Sequence, residues 1–272
     1  MNRLTHRLYL PVLAATAIVL ASGCDYHHER RISNAQRATV TRNWPASGIA
    51  QIKVFEVSGS ISVEATPGNE ISLLAQAEGD LDVKKGVEND GLFTTEIVGD
   101  TLRIGRKTEK RRGWNVGFFW GRDDVEIDYV LKVPASVALD VSTVNGRIST
   151  RGTDGATEAS TVNGTIDIET SGTHALQATT VNGRVKAKFT KDFNGARFKS
   201  VNGGVEAALP TNASFTVNLS QVNGDFEASF PLSIHSNPGS RRVSGEVNGG
   251  QHELKIVTVN GDVELARLNG AH

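Results

Sequence analysis

The chain of 272 residues has one cysteine, and its only methionine is the initiator. A single cysteine excludes a disulfide framework and every multi-cysteine metal site. Charge of one sign is also missing: 29 Lys+Arg stand against 30 Asp+Glu, for a formal net charge of −1. That balance argues against a nucleic-acid partner, which calls for a basic excess or stripe. Aromatic residues are scarce at 6 %. The uncharged, mainly apolar run Leu8–Leu20 is too short to span a membrane comfortably.

What is present begins with an address. Arg3 and Arg7 precede that run, and Ala21, Ser22, Gly23 and Cys24 follow it. These are the three parts of a secretory signal peptide. The end, Leu20-Ala21-Ser22-Gly23-Cys24, resembles the lipobox of bacterial lipoproteins, although the place three before the cysteine holds Ala21 where leucine is usual. The resemblance implies that residues 1–23 are removed and that Cys24 becomes an acylated (palmitate-bearing) N-terminus. The expected location is the bacterial cell envelope, lipid-anchored on the periplasmic face of a membrane or at the cell surface. Residues 24–36 read as a flexible polar tether, on which His27 and His28 are solvated residues without a further ligand.

The remainder is organised by a repeat. Val-(Asn/Ser)-Gly-x-(Ile/Val/Phe) starts at Val57, Val144, Val162, Val181, Val201, Val222, Val243 and Val259, with steps from Val144 of 18, 19, 20, 21, 21 and 16 residues. A period near 20 signifies stacked units. Within a unit, apolar residues alternate with polar ones, as Val185, Ala187 and Phe189 do with Lys186 and Lys188. This is strand with one buried face. Asn-Gly marks turns at Asn145-Gly146, Asn163-Gly164, Asn182-Gly183, Asn202-Gly203, Asn223-Gly224 and Asn260-Gly261, because both residues accept positive φ cheaply. Asn248-Gly249 reads as a neighbouring turn, with Val243–Val247 as the repeat copy. An antiparallel meander of hairpins and a β-solenoid both fit. The solenoid is favoured, since stacking explains identical positions in every copy. The expected fold is thus all-β, a parallel β-helix-like stack of coils of about 19 residues. One domain is expected over 37–269, with an irregular β half (37–135) and regular coils (136–269).

These repeats resemble a bacterial β-strand-repeat family of unknown function and adhesin type, many of whose members are lipoproteins. The resemblance rests on Val-Asn-Gly-x-Ile at 144–148 and its echoes, on Val57–Ile61, on Asp100–Ile104 and on Tyr129–Pro134. It implies a β-helix-like stack and brings no catalytic residues with it.

Chemistry-bearing constellations are thin. No HExxH or G-x-S-x-G is present, and His174, His235 and His252 read as solvent-facing turn residues. The residues after the corner glycines are of mixed type, which opposes a calcium ladder. Thr143, Thr161, Thr180 and Thr258 precede the motif valine, but Ser200, Gln221 and Arg242 interrupt the row. Ordinary cross-strand threonine pairing is expected there. No catalytic residue, metal or cofactor is expected.

One segment stands apart. Arg111, Arg112, Trp114, Phe118, Phe119 and Trp120 concentrate two of the three tryptophans within Lys107–Arg122. Aromatic tips with basic flanks suit a membrane or partner contact. A cap over an open end of the solenoid is the favoured alternative, because Glu109, Asp123 and Asp124 dilute the positive charge. The expectation is a non-catalytic envelope lipoprotein, a structural or adhesin-like binding module. Its partners would be the membrane, through the lipidated N-terminus, and a protein or glycan. The alternatives are a glycan-active β-helix enzyme and an accessory to an envelope signalling or stress system.

Overall fold

The computed structural model describes residues 36–79, 92–106, 125–232 and 242–268. The signal peptide, Cys24, His27, His28, His235 and the six residues singled out between 111 and 120 lie outside the described residues.

The strands are β1 (Gln36–Pro45), β2 (Gln51–Phe55), β3 (Ile61–Ala65), β4 (Glu70–Gly79), β5 (Phe93–Val98), β6 (Thr101–Arg106), β7 (Val125–Val133), β8 (Ala138–Asn145), β9 (Ile148–Thr153) and β10 (Thr157–Asn163). They continue with β11 (Ile166–Thr170), β12 (Leu176–Asn182), β13 (Val185–Phe189), β14 (Ala196–Asn202), β15 (Val205–Pro210), β16 (Phe215–Asn223), β17 (Phe226–Ala228), β18 (Arg242–Val247), β19 (His252–Asn260) and β20 (Val263–Leu268). They form two sheets. Sheet 1 runs β1-β4-β7-β3-β9-β11-β13-β15-β20-β17, and sheet 2 runs β18-β16-β19-β14-β12-β10-β8-β2-β6-β5. Each coil places one strand in sheet 2, turns the Asn-Gly corner, and places the next strand in sheet 1. Coils then pair in parallel with their neighbours, as β10 does with β8 and β12. This is a β-solenoid-like stack of two parallel sheets, not a meander of hairpins.

Alternation sorts the side chains between core and surface. In β12, Leu176, Ala178 and Thr180 are buried while Gln177 and Thr179 are exposed. Between the sheets, Ile52, Val141, Ala159, Ala178, Phe198 and Ile256 of sheet 2 belong to one apolar core with Ile61, Ile148, Ile166, Val185, Val205 and Val263 of sheet 1. The apolar residue two places after the corner glycine is thus half-buried at Phe226 and buried at Ile61, Ile148, Ile166, Val185, Val205 and Val263. The motif valine is not: Val162, Val181 and Val222 are 39 %, 37 % and 46 % exposed, on the outside of sheet 2.

Stack order departs from chain order at both ends. The coil β19–β20 lies between β14–β15 and β16–β17, because β19 pairs with both β14 and β16. At the other end β2–β3 lies inside β6–β7. Antiparallel strands then cover the stack: β5 on β6, β4 and β1 beyond β7, and β18 on β16. The Val243 copy of the repeat is therefore not a corner. Gly245 sits inside β18 opposite Val217, and the turn is made by Asn248 (φ 50) and Gly249 (φ 89). Alternation alone cannot tell an added antiparallel strand from a further rung.

Candidate binding surface

The corner column is held by three parallel hydrogen-bond series. Asparagine side chains form the first: Asn163 Nδ2 donates to Asn145 Oδ1 (2.8 Å), Asn182 to Asn163 (2.8 Å), Asn202 to Asn182 (2.9 Å), Asn260 to Asn202 (3.0 Å) and Asn223 to Asn260 (2.8 Å). In the second, each glycine amide donates to the asparagine carbonyl of the next coil, as Gly164 does to Asn182 at 3.0 Å. The third uses the residue before the motif valine. Thr143, Thr161, Thr180, Ser200 and Thr258 donate their hydroxyls to the corner glycine carbonyl of the adjacent coil at 3.1–3.3 Å. Gln221 Nε2 does the same to Gly261 at 2.9 Å.

Two expectations need correction here. Thr143, Thr161 and Thr180 are cross-strand neighbours as expected, but their hydroxyls do not bond one another; each satisfies a glycine carbonyl of the adjacent coil, so serine and glutamine continue the row instead of interrupting it. Arg242 begins the antiparallel strand β18, opposite Ser220, and is not a member of this row. The corner glycine is also required less by φ than by space. A Cβ on Gly164 would stand 1.9 Å from the carbonyl oxygen of Gly146, and one on Gly146 would stand 2.0 Å from that of Gly59.

A buried polar cluster lies where β2 ends. Glu56 is fully buried, and its Oε1 accepts from Arg106 Nε (2.7 Å) and from the amides of Val57 (2.9 Å) and Ser58 (3.3 Å). Its Oε2 accepts from the Tyr129 hydroxyl at 3.0 Å. Arg106 also donates to the Val125 carbonyl. Arg106 and Val125 are the described residues on either side of 107–124, so the cluster draws together the two ends of the aromatic and basic segment. Burial pushes the Glu56 carboxyl above its ordinary range, against the opposing effect of Arg106. Burial and the adjacent carboxylate push the Tyr129 hydroxyl up as well. The sequence reading missed Glu56. The signal was available, since the alternation Ile52, Val54, Glu56 places it on the inward face.

A shallow groove of about 650 Å³ crosses the outer face of β1, β4 and β7, with Glu78, Glu126 and Asp128 in it. Two of these carboxylates are occupied. Glu78 takes a bidentate bond from Arg37 (3.0 and 3.2 Å), and Asp128 accepts from the Ser60 amide at 2.7 Å. Glu126 is held above the usual range by burial, then by the negative charges of Asp128 and Glu78. Glycoside hydrolysis by two carboxylates needs an acid and a free base or nucleophile flanking one bond. This groove offers one uncommitted carboxyl.

Among the described residues, no group of three or more His, Cys, Asp or Glu could hold a metal ion. His174 is exposed in a turn with Nδ1 2.7 Å from the Asp154 carbonyl. His252 differs from its expected place: it begins β19, half-buried, with its ring edge toward Phe193 at 6.4 Å.

A two-sheet stack of parallel coils, closed at its corner by amide ladders, defines a β-solenoid-like repeat module. The family model described as Toastrack DUF4097 matches residues 22–266, and the chain belongs to that family. No curated protein matches it. Among solved structures, it is similar to a "putative cell adhesion protein" from Clostridium sporogenes at 9 % identity and TM-score 0.48, covering 86 % of this chain and 100 % of that one. It is also similar to a "putative adhesin" from Bacteroides fragilis (11 % identity, TM-score 0.32, 84 % and 96 % covered). A third is a "putative lipid binding protein" from Parabacteroides distasonis (14 % identity, TM-score 0.28, 88 % and 98 % covered).

Proposed function

We propose that this protein is a non-catalytic lipoprotein of the bacterial cell envelope, anchored through acylated Cys24, whose solenoid presents residues 107–124 to a membrane or partner. The observation that carries this reading is the Glu56–Arg106–Tyr129 cluster, which fixes both ends of that segment to the rigid core. The edges beside those ends already have partners, β5 on β6 and β4 on β7. The segment is therefore not needed to cover those two strands, although β1 and β5 remain the outermost strands at that end of the stack; contact is the role we assign to it. Aromatic and basic side chains on a fixed root suit an interface between apolar and charged surroundings.

Replacing Trp114, Phe118, Phe119 and Trp120 with serine tests it. The expected result is an unchanged unfolding midpoint together with lost recovery of envelope partners or lost vesicle flotation. A large drop in stability with association intact would return the segment to a capping role. Labelling with a palmitate analogue checks the anchor: Cys24→Ala should lose the label and leave the membrane fraction.

A further inference from the structure

The outer face of sheet 2 carries an ordered pattern that the anchored-module reading does not use. Parallel pairing puts equivalent residues in columns, with strands about 4.8 Å apart. One column reads, in stack order, Asp140, Glu158, Gln177, Arg197 and Lys255. Acidic residues thus lie on one side of Gln177 and basic residues on the other. Flanking them are Lys53, whose Nζ already stands 2.9 Å from Asp140 Oδ2 within the chain, and Asn218 beside Lys255. At the corner end of the same face runs the outward valine column, with Val162, Val181 and Val222 its most exposed members. Exposed apolar residues in a continuous row, beside charges of graded sign, mark an association surface better than scattered ones do.

We propose that this face is a self-complementary interface on which a second copy of the chain docks about a two-fold axis running along β12. A two-fold interface is isologous: residue i meets j, and j meets i. Rotation about β12 reverses the stack and keeps the strand direction, so each column faces itself. Glu158 then meets Arg197 of the other copy, Lys255 shares the Asp140 carboxylate of that copy with its Lys53, and Gln177 and Val181 meet their own equivalents. By symmetry every charged contact occurs twice. Val162 faces Val201, and Val144 faces Val259.

The register is selective. An axis along β10 would set Lys53 against Arg197, a like-charge contact. An axis along β14 would set Gln177 against Lys255 and lose both opposite-charge pairs. Of these three axes only β12 gives two complementary pairs without a repulsive one, and like-charge juxtaposition is how wrong docking modes are suppressed. The area is adequate for a reversible dimer. Strands of about seven residues and seven rungs, β2 to β16 centred on β12, give roughly 750 Å² per copy, near the ~800 Å² per partner of a standard interface.

Sedimentation velocity on the full chain over a concentration series tests this. The expected result is a monomer–dimer equilibrium. Glu158→Arg and Arg197→Glu should each weaken it by about tenfold or more, and the double swap should restore it. All these side chains are solvent-facing, so unfolding midpoints serve as the folding control. Gln177→Cys, at the axis, should cross-link to itself with a short bis-maleimide. Asp167→Cys, on the outer face of sheet 1, and the wild-type chain with only Cys24 should not, which separates specific docking from co-residence in a detergent micelle. A chain that stays monomeric throughout overturns the proposal. So does a dimer indifferent to either single swap, or equal cross-linking at Asp167→Cys. Association only with a different envelope protein also overturns it.

Discussion

Asn182 donates its side-chain amide to Asn163 at 2.8 Å and accepts the amide of Asn202 at 2.9 Å, so that one residue is both rung and relay in a ladder of six. Asn145, at the end of that ladder, only accepts. Asn182→Ala should therefore cost about 1–2 kcal/mol, and Asn145→Ala roughly half as much, since a typical hydrogen bond contributes about 1 kcal/mol. Urea denaturation midpoints of the two variants provide the comparison.

Gly164→Ala should be far more harmful than its size suggests. The added Cβ falls 1.9 Å from a backbone oxygen that cannot rotate aside. The expected loss is about 3 kcal/mol or more, because overpacking against backbone forces the coils apart. Alanine at Gly68, where nothing lies within 4 Å and φ is +128°, costs only backbone strain, about 1–3 kcal/mol. Thermal unfolding of both variants checks the ratio.

Two buried threonines should respond in opposite directions to valine. Thr180 donates to the Gly164 carbonyl at 3.1 Å, so Thr180→Val removes a bond and should destabilise by about 1 kcal/mol. The Thr150 hydroxyl is buried in β9 without a hydrogen-bond partner. Thr150→Val should be neutral or stabilising, by up to about 1 kcal/mol, since it removes an unsatisfied polar group. A clear loss of stability in Thr150→Val would show that its hydroxyl is satisfied after all.

Breaking the Glu56 cluster from one side should cost about 3–5 kcal/mol, the usual penalty for stranding one partner of a buried pair. Arg106→Met leaves an uncompensated carboxylate and is the severe case. Glu56→Gln keeps the shape: its oxygen can still accept from Arg106 and the Val57 and Ser58 amides while its NH2 donates to the Tyr129 hydroxyl, so its cost should be smaller. Chemical denaturation of both variants tests the order.

The same carboxyl makes a pH signature. Its folded pKa is raised above the ordinary 4.5, so the native state holds this proton after the unfolded chain has released it. The resulting stability is complete below the unfolded pKa and is lost as pH rises through the elevated folded value. Glu56→Gln should abolish that decline. Denaturation midpoints of both proteins, followed upward from about pH 4, would reveal it.

Much of the architecture was legible because a period of two and a period near 19 report different things. Alternation in Val185–Phe189 gave strand and inward face, and the recurrence of Asn-Gly gave the corner. The order of the coils was not legible. β14 offers the same Asn, Ser and apolar positions to any later rung, so nothing local tells it to accept β19 instead of β16. The role of the motif valine was missed for a related reason: recurrence shows that a position matters, not which way it faces. Thr143 one place earlier takes the inward position, and its hydroxyl, not its methyl, explains why. Glu56 could have been found by continuing the alternation of β2 one step past its last apolar residue. Its partners Arg106 and Tyr129 could not, because they come from strands 50 and 73 residues away.

The placement of β19–β20 inside the stack has a bearing on how the molecule is assembled and how it wears. A solenoid wound in simple sequence can peel from its last turn, like thread from a spool. In this chain the final strands are sewn between two earlier turns, and the turn at that end of the spool belongs to residues synthesised before them. The 215–228 winding therefore has no seat on β19 and β20 until the segment from 252 onward has been synthesised and has lain down first. Once it has, loosening the 252–268 winding requires the outer 215–228 layer to open first.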